Sequence, residues 1–292
     1  MPHYLIAESE TENEREARRE SAGKSSGETY AATLEQMRPG SRITIVAPAD
    51  DDARVLSIGE LGDFDAVFLT GSPLHVYDDT PEVRRQLDFM RAVFASGTPS
   101  FGSCAGLQVA VAAAGGTVRR MPERMEAGIA RRIVATDAGR RHPLLAGRPP
   151  TWDAAAIHGD EVETLPPGAV LLAGNAVTRV QAAEIRYDRG VFWGVQYHPE
   201  LALGEIAVAL ERQADDLVEA GLAESPDDVE TRAGQLTALH RDPGRRSLWW
   251  MLGVDAELAD EARRRTEIRN FLNHLAKDEA ASPVPHDGAP LS

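Results

Sequence analysis

The 292-residue chain has a single cysteine, so it can hold no intrachain disulfide framework, and a reducing, cytoplasmic setting is expected. No apolar run approaches the roughly 20 residues needed to span a bilayer, which excludes a helical membrane anchor of ordinary kind. The first residues, Met1-Pro2-His3-Tyr4-Leu5-Ile6-Ala7-Glu8, carry neither a basic leader nor a long apolar core, so no secretory signal is expected. Positive charge is also scarce. The 31 Lys and Arg against 46 Asp and Glu leave a formal charge of −15, which suits solubility and not a nucleic-acid backbone. A metal site is missing too: Asp50-Asp51-Asp52 points in different directions without a neighbouring His, so it reads as a solvated turn or helix start. Lys24-Ser25-Ser26 lacks the spaced glycines of a phosphate loop. Neither metal nor cofactor is expected.

What is present centres on Phe101-Gly102-Ser103-Cys104-Ala105-Gly106-Leu107-Gln108, followed by small apolar residues and the helix stop Gly115-Gly116. Thr98-Pro99-Ser100 reads as the end of a buried strand, and the residues after Cys104 favour helix. A thiol between strand and helix, with a glycine two residues to either side, is a cysteine version of the nucleophile elbow. The helix N-terminus behind it favours a negatively charged sulfur. Far downstream, the apolar run Val191-Phe192-Trp193-Gly194-Val195 delivers His198 to a strand end that Pro199 closes. His198 is the candidate base, and Glu200 the group that orients it.

Gly102-Ser103-Cys104-Ala105-Gly106-Leu107-Gln108 and Tyr197-His198-Pro199-Glu200 resemble the nucleophile and His-Pro-Glu motifs of class I, triad-type glutamine amidotransferases. Leu69-Thr70-Gly71-Ser72-Pro73, Ile157-His158-Gly159-Asp160 and Leu165-Pro166-Pro167 resemble that family in the same order. The likeness covers about residues 40 to 205 and is similar to the glutaminase domain of GMP synthase. It implies an open, mostly parallel sheet flanked by helices, of flavodoxin-like type, with Cys104, His198 and Glu200 catalytic. It further implies backbone oxyanion donors at Ser72 and Ala105, and substrate contacts at Gly71, Gln108, Ile157 and His158. The family more often has glycine at the Ser72 position and serine at the Ile157 position. His158 is a poor alternative base, since no carboxylate is evident behind it in the sequence.

Around these motifs the elements read as follows. His3–Ala7, Arg42–Ala47, Asp65–Leu69, residues 130–136, 152–157 and 169–173 are strands, and residues 182–187 and 191–196 form a hairpin. Residues 9–28 read as an exposed loop, with a lid or docking loop as the alternative. Glu28–Met37 and Pro81–Ala95 are helices, the second with Val83, Leu87, Met90 and Phe94 facing the sheet. The expected organisation is an amidotransferase domain over 1–205, a helical extension over 206–277 and a disordered tail over 278–292. The extension should contain helices over 204–220 and 229–239, and a last one capped by Asp255 and running to Lys277. Trp249 and Trp250 are expected to pack it, a partner or dimer surface being the alternative.

The expected substrate is L-glutamine or a γ-glutamyl amide. The leading reading is hydrolysis of the glutamine side-chain amide, with ammonia handed to a synthetase in trans. A γ-glutamyl amide hydrolase without ammonia transfer is the second, and a catalytically silent binding module the third. A homo-oligomer is compatible with all three.

Overall fold

A computed structural model describes residues 1–122 and 125–281, so most of the expected tail lies outside the described residues. The chain enters as β1 (His3–Ala7), followed by α1 (Glu12–Ala22), α2 (Ser26–Met37) and β2 (Arg42–Val46). A short α3 (Ile58–Gly62) precedes β3 (Ala66–Leu69), and α4 (Pro81–Ser96) leads to β4 (Ser100–Ser103) and α5 (Ala105–Ala113). These four strands pair in parallel in the order β2-β1-β3-β4. Successive side chains then choose opposite faces. Tyr4, Ile6 and Phe68 enter one core with Tyr30, while Leu5, Val67 and Leu69 enter the other with Met90 and Phe94.

Next come β5 (Thr117–Arg120), β6 (Glu126–Ala135), β7 (Thr151–His158), β8 (Asp160–Thr164), β9 (Val170–Gly174), β10 (Ala182–Tyr187) and β11 (Gly190–Val195). β11 returns through the hairpin from β10 to lie parallel to β4. The nine-stranded order is therefore β2-β1-β3-β4-β11-β10-β9-β6-β7, parallel on one side and antiparallel on the other. This is the helix-flanked open sheet expected from the motifs. The small antiparallel ribbon of β5 with β8 was not expected, because neither run is apolar enough to announce a strand.

Residues 9–28 are not a loop. Thr11 and Ser25 each begin a helix with a glutamate three residues on, and Glu14 and Glu28 accept their backbone N–H groups at 2.7 and 2.8 Å. Gly23 ends α1 in the left-handed conformation, with φ 79°. α1 is held at both ends: Arg15 bonds Asp50 at 2.6 Å, and Arg18 reaches Glu205 at 3.5 Å. The strand before the elbow is also shifted, running over Ser100–Ser103 and starting after Pro99, which has no N–H to give a ladder.

The C-terminal region comprises α6 (Leu203–Arg212), α7 (Ala214–Glu219), α8 (Pro226–Arg241), α9 (Arg246–Leu252), α10 (Ala256–Ala259), α11 (Glu261–Arg264) and α12 (Thr266–Ala281). The expected helix over 204–220 breaks at Gln213, and the expected last helix is three pieces, because Asp260 caps a new turn five residues after Asp255 capped the first. Leu203, Ile206, Leu210, Leu236 and Leu252 build a third core against Ile129 and Ala155. Trp249 packs beside it, whereas Trp250 is 85% exposed, contrary to expectation: on this short helix Leu248 and Leu252 take the inward face and Trp250 falls opposite. α12 behaves differently. Its Ile268, Phe271, Leu272 and Leu275 belong to the core of the main sheet, where Phe271 meets Phe68, Phe101 and Trp193 at 5.6 Å each.

Because Phe271 is 2% exposed and ringed by aromatics, Phe271→Ala should cost about 3–5 kcal/mol of unfolding free energy. Urea denaturation followed by tryptophan fluorescence measures it. A loss under about 1 kcal/mol would mean that α12 is a dispensable appendage.

Candidate active site

Cys104 sits between β4 and α5 with φ 52° and ψ −113°, a conformation that L-residues adopt only when their surroundings force it. The surroundings do so by contact. A methyl group on Gly106 would lie 2.6 Å from the Leu69 carbonyl oxygen, and one on Gly102 would lie 3.0 Å from the Gly106 backbone. The first turn of α5 is thereby pressed against the end of β3, and the Cys104 N–H is tied to the Val195 carbonyl at 2.9 Å. Sequence distance to the base is bridged by register: Gly102 pairs with Gly194 and Ser103 with Val195. The segment after β11 is therefore at the same edge as Cys104.

His198 lies there, its backbone N–H fixed to the Ala155 carbonyl at 2.8 Å and its Nδ1–H donated to Glu200 Oε1 at 2.7 Å. Both side chains are buried. Burial alone would lower the imidazole pKa, but the Glu200 charge and then the Cys104 sulfur outweigh it and raise it to about 10. Cys104 is also within hydrogen-bonding reach of that ring. Gly71 lies beside both: a methyl there would come within 2.9 Å of His198 Cε1 and 3.7 Å of Cys104 Cβ. The loop after β3 and the start of α5 border one small hollow, which Ser72 and Ala105 both line. The Ser72 hydroxyl is turned back to accept the Leu74 N–H at 3.0 Å, leaving its own backbone to face the site.

The remaining site residues expected from the sequence converge on the same edge. The Ile157 carbonyl is 4.0 Å from Cys104 Sγ. Gln108 is 2% exposed, and its amide nitrogen donates to the Asp160 carbonyl at 3.2 Å and to Gln196 Oε1 at 3.3 Å, so it braces the site's floor. His158 requires a correction, since a carboxylate does stand behind it. Glu126, 32 residues earlier, meets His158 Nε2 at 3.1 Å because β6 pairs with β7 in register Glu126↔His158. Glu126 also accepts from Asn175, Thr178 and Gln181. Burial would raise its pKa, but these partners, His158 foremost, hold it below the usual carboxylate range. The single glutamate gave no sequence signal, since only the register reveals its partner. Asp160, which was not expected to act here, holds the loop after Ser72 through His75 at 2.6 Å and Tyr77 at 3.1 Å. Among the described residues, no group of three or more His, Cys, Asp or Glu side chains is gathered to hold a metal ion. The acidic run is used otherwise, Asp50 on Arg15 and Asp51 on Arg85. No helix among the described residues is long and apolar enough to cross a membrane.

An open α/β sheet with a thiol on a strained strand-to-helix turn and an imidazole–carboxylate pair on the next strand defines the amidotransferase class of domain. The chain belongs to the class-I glutamine amidotransferase family, whose model matches residues 25–214. It is 36% identical over 278 residues to a γ-glutamyl-L-1-hydroxyisopropylamide hydrolase of Pseudomonas sp., covering 93% of this chain and 92% of that protein. It is 34% identical over 181 residues to the glutamine-hydrolysing GMP synthase of Nitrosomonas eutropha, covering 59% of this chain but only 33% of the synthase. The crystal structure of a glutamine amidotransferase from Thermotoga maritima has the same fold, with a TM-score of 0.65 at 15% identity over 94% of this chain and 98% of that one. Family and hydrolase relative together support a hydrolase activity.

A raised folded-state pKa has a defined pH signature. The charged His198 ring adds stability that is full below about pH 6.5 and is lost as pH climbs through about 10. NMR titration of the ring should show it protonated at pH 8, and Glu200→Gln should move the titration down by about 1–3 pH units. An unmoved titration in that variant would contradict the electrostatic account.

Proposed function

We propose that the chain hydrolyses the amide bond of a γ-glutamyl amide through a covalent Cys104 intermediate, glutamine being the simplest such substrate. The observation that carries this reading is the meeting of Cys104, His198 and Glu200 at one sheet edge, with the thiol forced outward by its backbone. The Cys104 thiolate attacks the amide carbon, and the oxyanion is held by the Ser72 and Ala105 N–H groups, each such donor typically worth about 3 kcal/mol. His198 gives its proton to the departing nitrogen as the C–N bond breaks. Water then loses a proton to His198 and attacks the thioester. The C–S bond breaks, leaving glutamate and free thiolate. Glu200 holds the ring in the tautomer this needs and stabilises its cation. Gly71, Ile157 and His158 supply the backbone that receives the amino-acid end of the substrate, with Gln108 behind them. A lone nucleophilic thiol fits the reducing cytoplasm.

The acceptor side favours an amine product over channelled ammonia. The match to the γ-glutamyl amide hydrolase runs nearly end to end and takes in the C-terminal helices, whereas the GMP synthase match spans a third of that enzyme. Delivery of ammonia to a synthetase in trans is the second reading. It is favoured by the 32% identity to a glutamine-hydrolysing GMP synthase of Ignicoccus hospitalis that is made as a separate, shorter polypeptide, of which 69% is covered.

Steady-state kinetics on glutamine and on N-alkyl γ-glutamyl amides separates the two. A site shaped for an amine substituent should prefer the alkyl amide by about tenfold or more in kcat/KM. Preference for glutamine, with stimulation by a co-purifying synthetase, would instead establish the second reading. Cys104→Ala should lower turnover by at least about 10³-fold on every substrate. Undiminished turnover would overturn both.

A further inference from the structure

The carboxylate of Glu200 does not end the line of polar groups behind Cys104. Ser103 Oγ lies 2.9 Å from Glu200 Oε1, the same oxygen that receives His198 Nδ1–H, and Tyr30 Oη lies 2.7 Å from Ser103 Oγ. Tyr30 and Ser103 are fully buried and Glu200 is 3% exposed. The direction of this chain is dictated by its donors. An ionised carboxylate only accepts, so Ser103 must spend its one proton on Glu200. Ser103 can then only accept from the phenol, so Tyr30 donates. Burial first and the Glu200 charge second keep the Tyr30 phenol well above its ordinary pKa, so it retains the proton it donates.

The placement follows from strand geometry. Ser103 immediately precedes Cys104 and ends β4, so it points to the face opposite the nucleophile, the face it shares with Phe101. That face is covered by α2, whose Tyr30 packs near Phe68 in the same core. α2 is itself anchored at its start, where Glu8 accepts the Gly27 N–H at 2.8 Å and Ser26 Oγ donates to Thr70 Oγ1 at 3.0 Å. Thr70 directly precedes the Gly71-Ser72 loop. The other Glu200 oxygen, Oε2, is buried and has no donor among the described residues. The rotamer of this carboxylate therefore rests on Oε1 and its two donors.

We propose that Ser103, steadied by Tyr30, is a positioning residue that fixes the Glu200 carboxylate and through it the ring of His198. This rests on the roles proposed above for Cys104, His198 and Glu200. A polar pair that merely satisfies itself in the core would affect stability alone. A positioning chain has a different signature: Tyr30 acts only through Ser103, so its contribution vanishes when Ser103 is gone.

The test uses the full chain and the variants Ser103→Ala, Tyr30→Phe and the double variant. Two readouts are taken: kcat and KM on glutamine, and the rate at which iodoacetamide alkylates Cys104 at pH 7, which needs no substrate. Losing one hydrogen bond to a charged group should make Ser103→Ala about tenfold slower in kcat and in alkylation, with KM within about twofold of wild type. Tyr30→Phe should be about threefold slower in both. The double variant should match Ser103→Ala alone. Additive effects of the two substitutions, or lowered melting temperature with unchanged kcat and alkylation, would overturn the proposal. If the wild-type chain turns over no γ-glutamyl amide, the hydrolase reading fails, while the alkylation series still decides the role of Ser103.

Discussion

A backbone that must reverse within one residue governs the whole carboxyl edge of this sheet. Cys104 holds φ 52° and ψ −113° only because the chain before and after it cannot relax: β4 is locked between β3 and β11, and α5 begins against Leu69. The two glycines are consequences of that crowding, since a methyl on either would strike backbone. Once the turn exists, three features follow together. The sulfur is lifted out of the sheet, the first amide of α5 comes beside the loop after β3, and the next strand in the sheet is the one that leads to His198.

Charge at the site is then a matter of burial against partners. An imidazolium and a carboxylate taken out of water cost several kcal/mol each, and such pairs rarely add net stability. Here they confer a fixed direction on a proton-bearing ring. The same logic applies a few residues away, where Glu126 gathers four donors and holds His158 at the end of β7. Two buried imidazole–carboxylate pairs thus flank the thiol, but only His198 reaches it. His158 spends its Nδ1 on the Asp160 carbonyl at 2.9 Å and its Nε2 on Glu126, which leaves the ring committed to structure.

The parts legible in the sequence were those encoded by local chemistry. Apolar runs placed the strands, Gly-x-Cys-x-Gly placed the elbow, and Tyr-His-Pro-Glu placed the base beside its carboxylate because Glu200 is two residues from His198. Other local signals were masked by their surroundings: Thr11 with Glu14 and Ser25 with Glu28 are capping pairs inside a stretch whose polarity suggested a loop. Partners set by register were out of reach. Nothing near Glu126 points to His158, and nothing in Ser103 points to Tyr30, 73 residues before it. Nor could composition reveal that α12 returns to the main core, since its amphipathic face fits either an appendage or a closing element.

The central claim is that a γ-glutamyl group is carried on the sulfur of Cys104. Rapid acid quench during turnover of a γ-glutamyl amide, followed by peptide mass spectrometry, tests it most directly. The account predicts one γ-glutamyl addition, confined to the peptide containing Cys104 and lost on mild alkaline treatment as a thioester is. Steady turnover with no such adduct, or with the group on another residue, would contradict it.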